Sequence, residues 1–154
     1  MTTIILKTEI NALPKICFDV SRNIDLHLLS AQHTEEKVIA GRMSGLCELG
    51  DEFTWEAKHF GIKQILSSRI TKMNSPFYFE DTMLKGAFKS MRHEHHFEAT
   101  GEQTTMRDIF MYEVPYGFFG WIFDKLILKN HMTKFIKKRN SFLKDCAEQK
   151  LARI

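Results

Sequence analysis

Hydrophobic and polar residues alternate along most of the middle of the chain, from about residue 35 to residue 115. The clearest example is DEFTWEAKHF, where Phe53, Trp55, Ala57 and His59 share one face and charged residues or Thr occupy the other. Alternation of this kind is typical of a β-strand with one buried face. Short turns containing Gly, Asn or Pro separate these segments, which predicts antiparallel strands connected as a meander.

The two ends of the chain have different patterns. TTIILKTEIN is short and β-branched and predicts a first strand, whereas LPKICFDVSRNIDLHLLSAQ has the three- and four-residue spacing of helices. The step Ser21-Arg22-Asn23 can cap a helix, so this segment predicts two short helices. After Pro115 the apolar residues recur at helical spacing, which predicts one long helix. Its first third is apolar almost all round, so we expect deep burial there and a solvated, basic far end.

This order of elements predicts an α+β fold, with residues 1–154 as a single domain. We expect a curved antiparallel sheet of about seven strands wrapped around the long C-terminal helix, with two short helices after the first strand. A sheet with one apolar face needs a cover, and the long amphipathic helix is the only predicted element able to provide it.

The net charge of +3 is unevenly distributed. The segment from Lys125 to Lys150 holds eight basic and two acidic residues, a net charge of +6, which leaves −3 for the remainder. A basic helix can favour anionic lipid or nucleic acid, but it is more often a solvated face. We therefore expect no nucleic-acid partner, and we keep contact with a membrane surface as an alternative.

Cysteine usage and the N-terminal segment bear on the compartment. Cys17, Cys47 and Cys146 form no CxxC pair and are odd in number, which predicts reduced thiols and not a disulfide framework. The apolar run in MTTIILKTEINALP is too short for a signal peptide or a membrane span. These features predict a cytoplasmic protein, and they leave open whether it is a monomer or a homodimer.

The same order of elements resembles the START-like, or SRPBCC, superfamily, in which a curved antiparallel sheet grips a long C-terminal helix around a cavity. The similarity covers nearly the whole chain and is sharpest from SSRITKMNSPFYFEDTMLKGAFKSMRHEHHFEA through TTMRDIFMYEVPYG. The F-x-D, H-x-H-x-F and M-x-D strands and the P-x-G bend in that stretch look like the polyketide cyclase/dehydrase or coenzyme-Q-binding branch. The resemblance implies a helix-grip fold with a cavity, and it does not select an activity.

The segment SMRHEHHFEAT carries three histidines in four positions. Strand alternation places Met91, His93, His95 and Phe97 on one face and His96 on the other face, which is charged throughout. If the long helix covers the apolar face of the sheet, His93 and His95 point into the cavity and His96 points to solvent.

The same alternation applied to the other strands predicts an aromatic cavity wall with a few polar groups. It assigns Phe77 to the inward face of its strand, and the helix start GFFGWIF could gate the opening. We predict no bound metal and no other cofactor. The predicted ligand-binding residues are Trp55, His59, Phe79, Asp81, Met83, His93, His95, Met106, Asp108, Phe110, Phe119 and Phe123.

Three interpretations of the polar cluster remain open. Two histidines in a His-x-His strand could chelate a metal with help from Asp81, Asp108 or His59, although alternation alone also produces this spacing. His93 or His95 paired with Asp81 or Asp108 could instead transfer protons next to a carbonyl group, which makes these four the catalytic candidates.

In the third interpretation, the four groups satisfy one another, or bind Arg69 or Tyr112, and only stabilise the sheet.

The leading hypothesis is binding of a small hydrophobic or aromatic ligand, such as a lipid, a quinone or a polyketide-like molecule, in an internal cavity without catalysis. One alternative is an enzyme of the cyclase/dehydratase kind that uses a His/Asp pair. The other is a lipid carrier acting at membrane surfaces, steered by the basic helix.

Overall fold

The computed structural model describes residues 1–152, and the side chains of residues 1–149. Within that part, seven strands form one antiparallel sheet. They are β1 (Thr2–Ile10), β2 (Lys37–Gly41), β3 (Glu52–His59), β4 (Ile62–Asn74), β5 (Tyr78–Lys85), β6 (Ser90–Thr100) and β7 (Gln103–Glu113). Their order in the sheet is β1-β7-β6-β5-β4-β3-β2, so β2 to β7 form the predicted meander and β1 pairs with β7.

Two short helices follow β1, and a long helical segment ends the chain. The short helices are α1 (Pro14–Ser21) and α2 (Ile24–Ser30). Proline suits the first turn of α1, where a backbone N–H would have no partner in the helix. The Asn23 side chain caps α2 by accepting a hydrogen bond from the Leu26 N–H at 3.1 Å. The C-terminal segment consists of α3 (Gly117–Phe123), a π-helical turn (Asp124–Leu128) and α4 (Lys129–Ala152).

The sheet is curved because its ladder is interrupted at defined points. The pairing of β4 with β5 shifts register twice, at Ser67/Ser68 and at Ile70/Lys72. Such bulges bend a strand and increase its twist. At Gly41, with φ of +82°, an added Cβ would lie 2.1 Å from the Glu52 carbonyl oxygen, so only glycine permits β2 to approach β3 this closely.

A solid core fills one end of the space between the sheet and the helices. The Phe18 ring meets Phe79 and Phe97 edge-to-face, each at 5.6 Å between centroids. Leu143 and Ala147 of α4 are fully buried in the same cluster. Burial of one such aromatic side chain stabilises the fold by about 2–3 kcal/mol. The other end of the same space is left open and contains the candidate site.

The predicted sheet, short helices and long helix are confirmed, but the expected deep burial at the start of the long helix is wrong. The side chains of Phe118, Phe119 and Trp121 are exposed. The helix begins beyond the sheet and contacts it through Gly120 and the buried Asp124. Helical periodicity reports which residues share a face, and it carries no information on whether another element covers that face.

Phe77 is also misassigned, because it precedes β5 and is half exposed.

Among the described residues, none of the helices is long and apolar enough to cross a membrane.

Candidate ligand-binding cavity

A cavity of about 370 Å³ lies between the concave face of the sheet and the C-terminal helical segment. Its walls are mainly apolar and aromatic. The side chains that contribute most to these walls include Trp55, Ile70, Phe79, Phe110, Phe135 and Ile136.

One end of the cavity is buried and carries a cluster of polar side chains, which we call the inner cluster (Asp81, His93, His95, Asp108, Arg139 and Asn140). Two histidines on β6 are each bonded to a carboxylate on a neighbouring strand. His93 Nε2 lies 2.9 Å from Asp108 Oδ1, and His95 Nε2 lies 3.1 Å from Asp81 Oδ1. Both contacts are diagonal across the sheet, because the register places His95 opposite Asp108 on β7 and His93 opposite Asp81 on β5.

The long helix completes the inner cluster with two residues that sequence reasoning missed. Asn140 Nδ2 donates a hydrogen bond of 2.6 Å to Asp108 Oδ2, and Arg139 Nη1 lies 3.6 Å from Asp108 Oδ1. Arg139 also donates to the Asn140 side chain and to the Ser21 carbonyl. Arg139 was predicted to lie on the solvated basic face, yet it is buried. The signal was its position, since Arg139 and Asn140 fall within the apolar stripe that includes Ile136.

The ionisable groups of the inner cluster have pKa values that are shifted by burial and by one another. Burial and the neighbouring His95 lower the pKa of His93 to about 4, so His93 is neutral at pH 7. Burial also disfavours a charge on His95, but the adjacent carboxylates of Asp108 and Asp81 outweigh it and raise the pKa of His95. The pKa of Asp81 is lowered and that of Asp108 is held well below its usual range, because bonds from the histidines outweigh burial. Two carboxylates therefore face the buried guanidinium of Arg139 and an imidazole, His95, whose pKa is raised.

One buried atom of the inner cluster has no hydrogen-bond partner. His95 Nδ1 lies 3.1 Å from Asp108 Oδ1, close enough for an ion pair, but the two groups are not aligned for a hydrogen bond. His95 instead stacks on Phe79, with 4.2 Å between ring centroids. His93 lies between His95, at 3.9 Å, and the edge of Phe110, at 5.2 Å.

The opposite end of the cavity reaches the surface, and we call it the mouth. Tyr116, Phe123 and Phe60 line the cavity and are also exposed, which locates the opening beside α3 and the β3–β4 turn. Within the mouth, His59 Nδ1 and His131 Nε2 share a hydrogen bond of 2.9 Å. Phe60 packs on His131 at 4.3 Å and meets Phe123 at 5.6 Å between ring centroids.

The histidines of the mouth are biased towards their neutral forms. Burial, followed by the proximity of His131, lowers the pKa of His59. Burial, followed by the proximity of His33, lowers the pKa of His131. A neutral pair can share one proton as donor and acceptor, whereas two imidazolium ions at this distance would repel each other.

The structure separates the predicted ligand-binding residues into two groups. The residues that line the cavity are Trp55, His59, Phe79, Asp81, His93, His95, Phe110 and Phe123. The other four do not line it. Met83 packs in the core cluster near the β5–β6 turn, and Met106 contacts Ser21 deep in the solid core. Asp108 lies behind the histidines, and Phe119 points outwards into solvent. Strand alternation gives the face of a residue, but it does not give its depth along the cavity.

The arrangement bears on each interpretation of the polar cluster. Asp81, His93 and His95 offer ligand atoms within 4.8 Å of one another, so a metal ion would find three ligands if their present hydrogen bonds were exchanged. His93 lines the cavity with Asp108 behind it, which is the arrangement of a base and the group that orients it.

The stabilising interpretation holds for the His–Asp pairs but not for its other proposed partners. Arg69 binds Glu52 outside the cavity, and Tyr112 donates to Asp124.

Cys47 also lines the cavity, and burial raises the pKa of its thiol to about 12. The thiol is therefore protonated at pH 7 and is not an activated nucleophile.

No family model matches this chain. No curated protein matches it either. Solved structures do match along nearly the whole length. A protein of Thermus thermophilus has a TM-score of 0.78 at 17% identity, over 95% of this chain and 97% of that one.

Two further similar structures carry more descriptive names. A START superfamily protein from Mycobacterium smegmatis has a TM-score of 0.71 at 12% identity, over 96% of this chain and 97% of that one. The ginseng major latex-like protein 151 from Panax ginseng has a TM-score of 0.69 at 12% identity, over 95% and 97%. Identities this low establish the fold alone. This chain therefore has the helix-grip fold of these structures, in which a curved antiparallel sheet and two short helices surround a long C-terminal helix.

Proposed function

We propose that the protein binds a small hydrophobic or aromatic ligand in the cavity between the sheet and the long helix. The observation that carries this proposal is the cavity itself, about 370 Å³ with aromatic walls and one cluster of polar side chains at its buried end. Small-molecule sites typically measure about 300–1,000 Å³ and combine apolar walls with a few polar groups that orient the ligand.

The positions of the polar groups favour a ligand with one polar end. Aromatic rings of Phe79 and Phe110 flank the two histidines, so a planar or hydrocarbon portion can pack there while a carbonyl or hydroxyl group meets His93. A lipid, a quinone or a polyketide-like molecule has this character. A cytoplasmic location and the monomeric or dimeric state stay predictions from the sequence.

Filling the cavity tests the proposal. Ala57 lies in the cavity wall, so Ala57→Phe places a phenyl ring in the space that a ligand would occupy. We expect this change to weaken binding of the dye 8-anilinonaphthalene-1-sulfonate by at least about tenfold, equivalent to about 1.4 kcal/mol. The matched control is Ala99→Phe at an exposed position of β6, which should bind the dye like the unchanged protein.

Native mass spectrometry of the protein purified from cells would identify a co-purified ligand directly. Equal dye binding by the Ala57→Phe and Ala99→Phe proteins would contradict a cavity site.

A second function, proton transfer next to a carbonyl group, is favoured by the position of Asp108 behind His93. An enzyme of the cyclase/dehydratase kind would use His93 as the base, with Asp108 orienting it. Exchange of the methyl protons of acetophenone in D2O, followed by mass spectrometry, measures this ability. We expect exchange above the buffer rate that is lost in His93→Gln and retained in His96→Gln on the outer face. Exchange at the buffer rate in all three proteins would contradict this function.

A further inference from the structure

We propose that the mouth of the cavity docks on an anionic lipid surface through the exposed start of the long helix. The contacting side chains form an aromatic rim, defined as Tyr116, Phe118, Phe119, Trp121 and Leu126. This inference concerns the partner surface, and it goes beyond the proposed binding of a ligand inside the cavity.

The rim consists of large apolar side chains that are more than half exposed. Relative exposures are 84% for Tyr116, 67% for Phe118, 80% for Phe119, 53% for Trp121 and 74% for Leu126. All five fall within eleven consecutive residues, and Phe118 stacks on Trp121 with 6.0 Å between ring centroids. Contiguous exposed patches of this kind mark protein or membrane contact sites, and Trp and Tyr are enriched where membranes meet water.

The rim adjoins the opening of the cavity. Tyr116 belongs to both the rim and the cavity lining. Phe123, about two turns further along the chain, also lines the cavity and contacts Phe60 across the opening. Insertion of the rim at the boundary between headgroups and acyl chains therefore brings the mouth against the membrane. A hydrophobic ligand could then move between bilayer and cavity without crossing bulk water.

The charges around the rim favour an anionic lipid surface. Between Gly117 and Lys144 the only acidic residue is Asp124, and it is buried and bonded to Tyr112 and Thr2. Lys125 and Lys129 next to the rim are exposed, and Lys125 Nζ lies 5.6 Å from the centre of the Trp121 ring.

Lys85 and Lys89 add positive charge at the β5–β6 turn, whose Ala87 lines the cavity, although Lys89 lies 3.9 Å from Glu113. Each lysine close to an anionic membrane increases binding by about fivefold at physiological salt.

A second copy of this chain fits the rim less well than an anionic membrane does. A two-fold dimer would place the Lys125 and Lys129 side chains of one copy near those of the other, with no exposed acidic residue of the helix start to compensate. Such a dimer would also close the mouth and block access to the cavity.

Sedimentation with phosphatidylcholine vesicles, with and without phosphatidylserine, tests the proposal. We expect binding at least about tenfold stronger to the vesicles that contain phosphatidylserine, and a decline as salt is added. The Trp121 fluorescence should shift to shorter wavelength on binding, whereas Trp55 is already buried in the cavity wall.

Two double variants separate the contributions of the rim and of the charges. Phe119→Ser with Leu126→Ser should reduce vesicle binding at least about tenfold, because two inserting side chains are lost. Lys125→Gln with Lys129→Gln should reduce binding and flatten its salt dependence. The matched control is Leu13→Ser, an exposed leucine at the opposite end of the sheet, which should bind vesicles like the unchanged protein.

None of these five residues lines the cavity, so we expect unchanged circular dichroism spectra and urea midpoints, which check the folding of every variant.

Three outcomes would overturn the proposal. They are no vesicle binding by the unchanged protein at low salt, full binding by the Phe119→Ser/Leu126→Ser protein, and a concentration-dependent dimer that this double variant abolishes. The Ala57→Phe protein should still bind vesicles. The vesicle assay and the dye-binding assay therefore test membrane docking and ligand binding separately.

Discussion

Each end of the cavity contains a pair of histidines, but the two pairs have different surroundings. At the inner cluster, His93 and His95 are buried against Asp108 and Asp81, and every charge has an opposite charge nearby. At the mouth, His59 and His131 bond only to each other among the hydrogen bonds of the described residues, and aromatic side chains surround them.

This difference indicates that the inner cluster stabilises the fold, whereas the mouth tolerates substitution. A buried charge that loses its partner is costly, so the inner cluster tolerates few single substitutions. The mouth is partly solvated, so its side chains contribute little to folding and are available for contact with a partner. Substitutions at the two ends should therefore have very different effects on the free energy of unfolding.

The largest expected effect is at Asp108. The Asp108→Ala change leaves the buried guanidinium of Arg139 and the buried imidazole of His95 without their shared carboxylate, which should lower the free energy of unfolding by about 3–5 kcal/mol. Urea denaturation followed by circular dichroism measures the loss. Asp145→Ala, at an exposed position of α4, is the matched control and should change stability by less than about 0.5 kcal/mol. A loss at Asp108 below about 1 kcal/mol would mean that water reaches the inner cluster.

The histidines of the mouth should make stability depend on pH, with an effect smaller than that of Asp108→Ala and a sign that follows from their pKa shifts. The pKa values of His59 and His131 are lowered on folding, so the unfolded chain binds protons more readily. The stability given by the neutral pair is complete above the unfolded pKa of about 6.5 and is lost as pH falls below it. Glu36 opposes this shift at His59, and His33 reinforces it at both histidines.

Folding lowers the pKa of His93 and raises that of His95, so both also contribute to the pH dependence of stability, and the test is therefore a difference between proteins. The His59→Phe/His131→Phe protein should lose less stability between pH 7.5 and pH 5 than the unchanged protein. Phe118→Ser, which removes a non-titrating side chain near the mouth, should retain the original slope. Identical slopes in all three proteins would show that the mouth histidines are solvated.

The sequence was sufficient for the sheet because alternation is a local property. Phe53, Trp55 and Ala57 are buried on β3 as predicted, and on β6 the charged face correctly separated His96 from His93. Pairing of the His–Asp groups was also foreseeable, since each lies on the inward face of its strand.

What the sequence could not reveal depends on tertiary position. As an arginine in a lysine-rich segment, Arg139 is expected to be solvated, but its position on the helix is that of a buried residue. Its burial depends on the carboxylate of Asp108 on the facing strand, which the sequence pattern does not reveal. The reverse holds at the apolar start of the long helix. Phe119 is of a residue type that is usually buried, yet no element of the described chain extends far enough to cover it.

The smallest expected effect is at the rim, and it is the sharpest measure of the difference between the two ends. Phe119→Ser should change the free energy of unfolding by less than about 0.5 kcal/mol, because the side chain is exposed in the folded protein. Phe18→Ser is the matched change in the core, where Phe18 is fully buried between Phe79 and Phe97, and it should cost at least about 3–5 kcal/mol. A loss above about 1 kcal/mol at Phe119 would mean that the rim is already covered in solution, which would remove the surface proposed to meet the membrane.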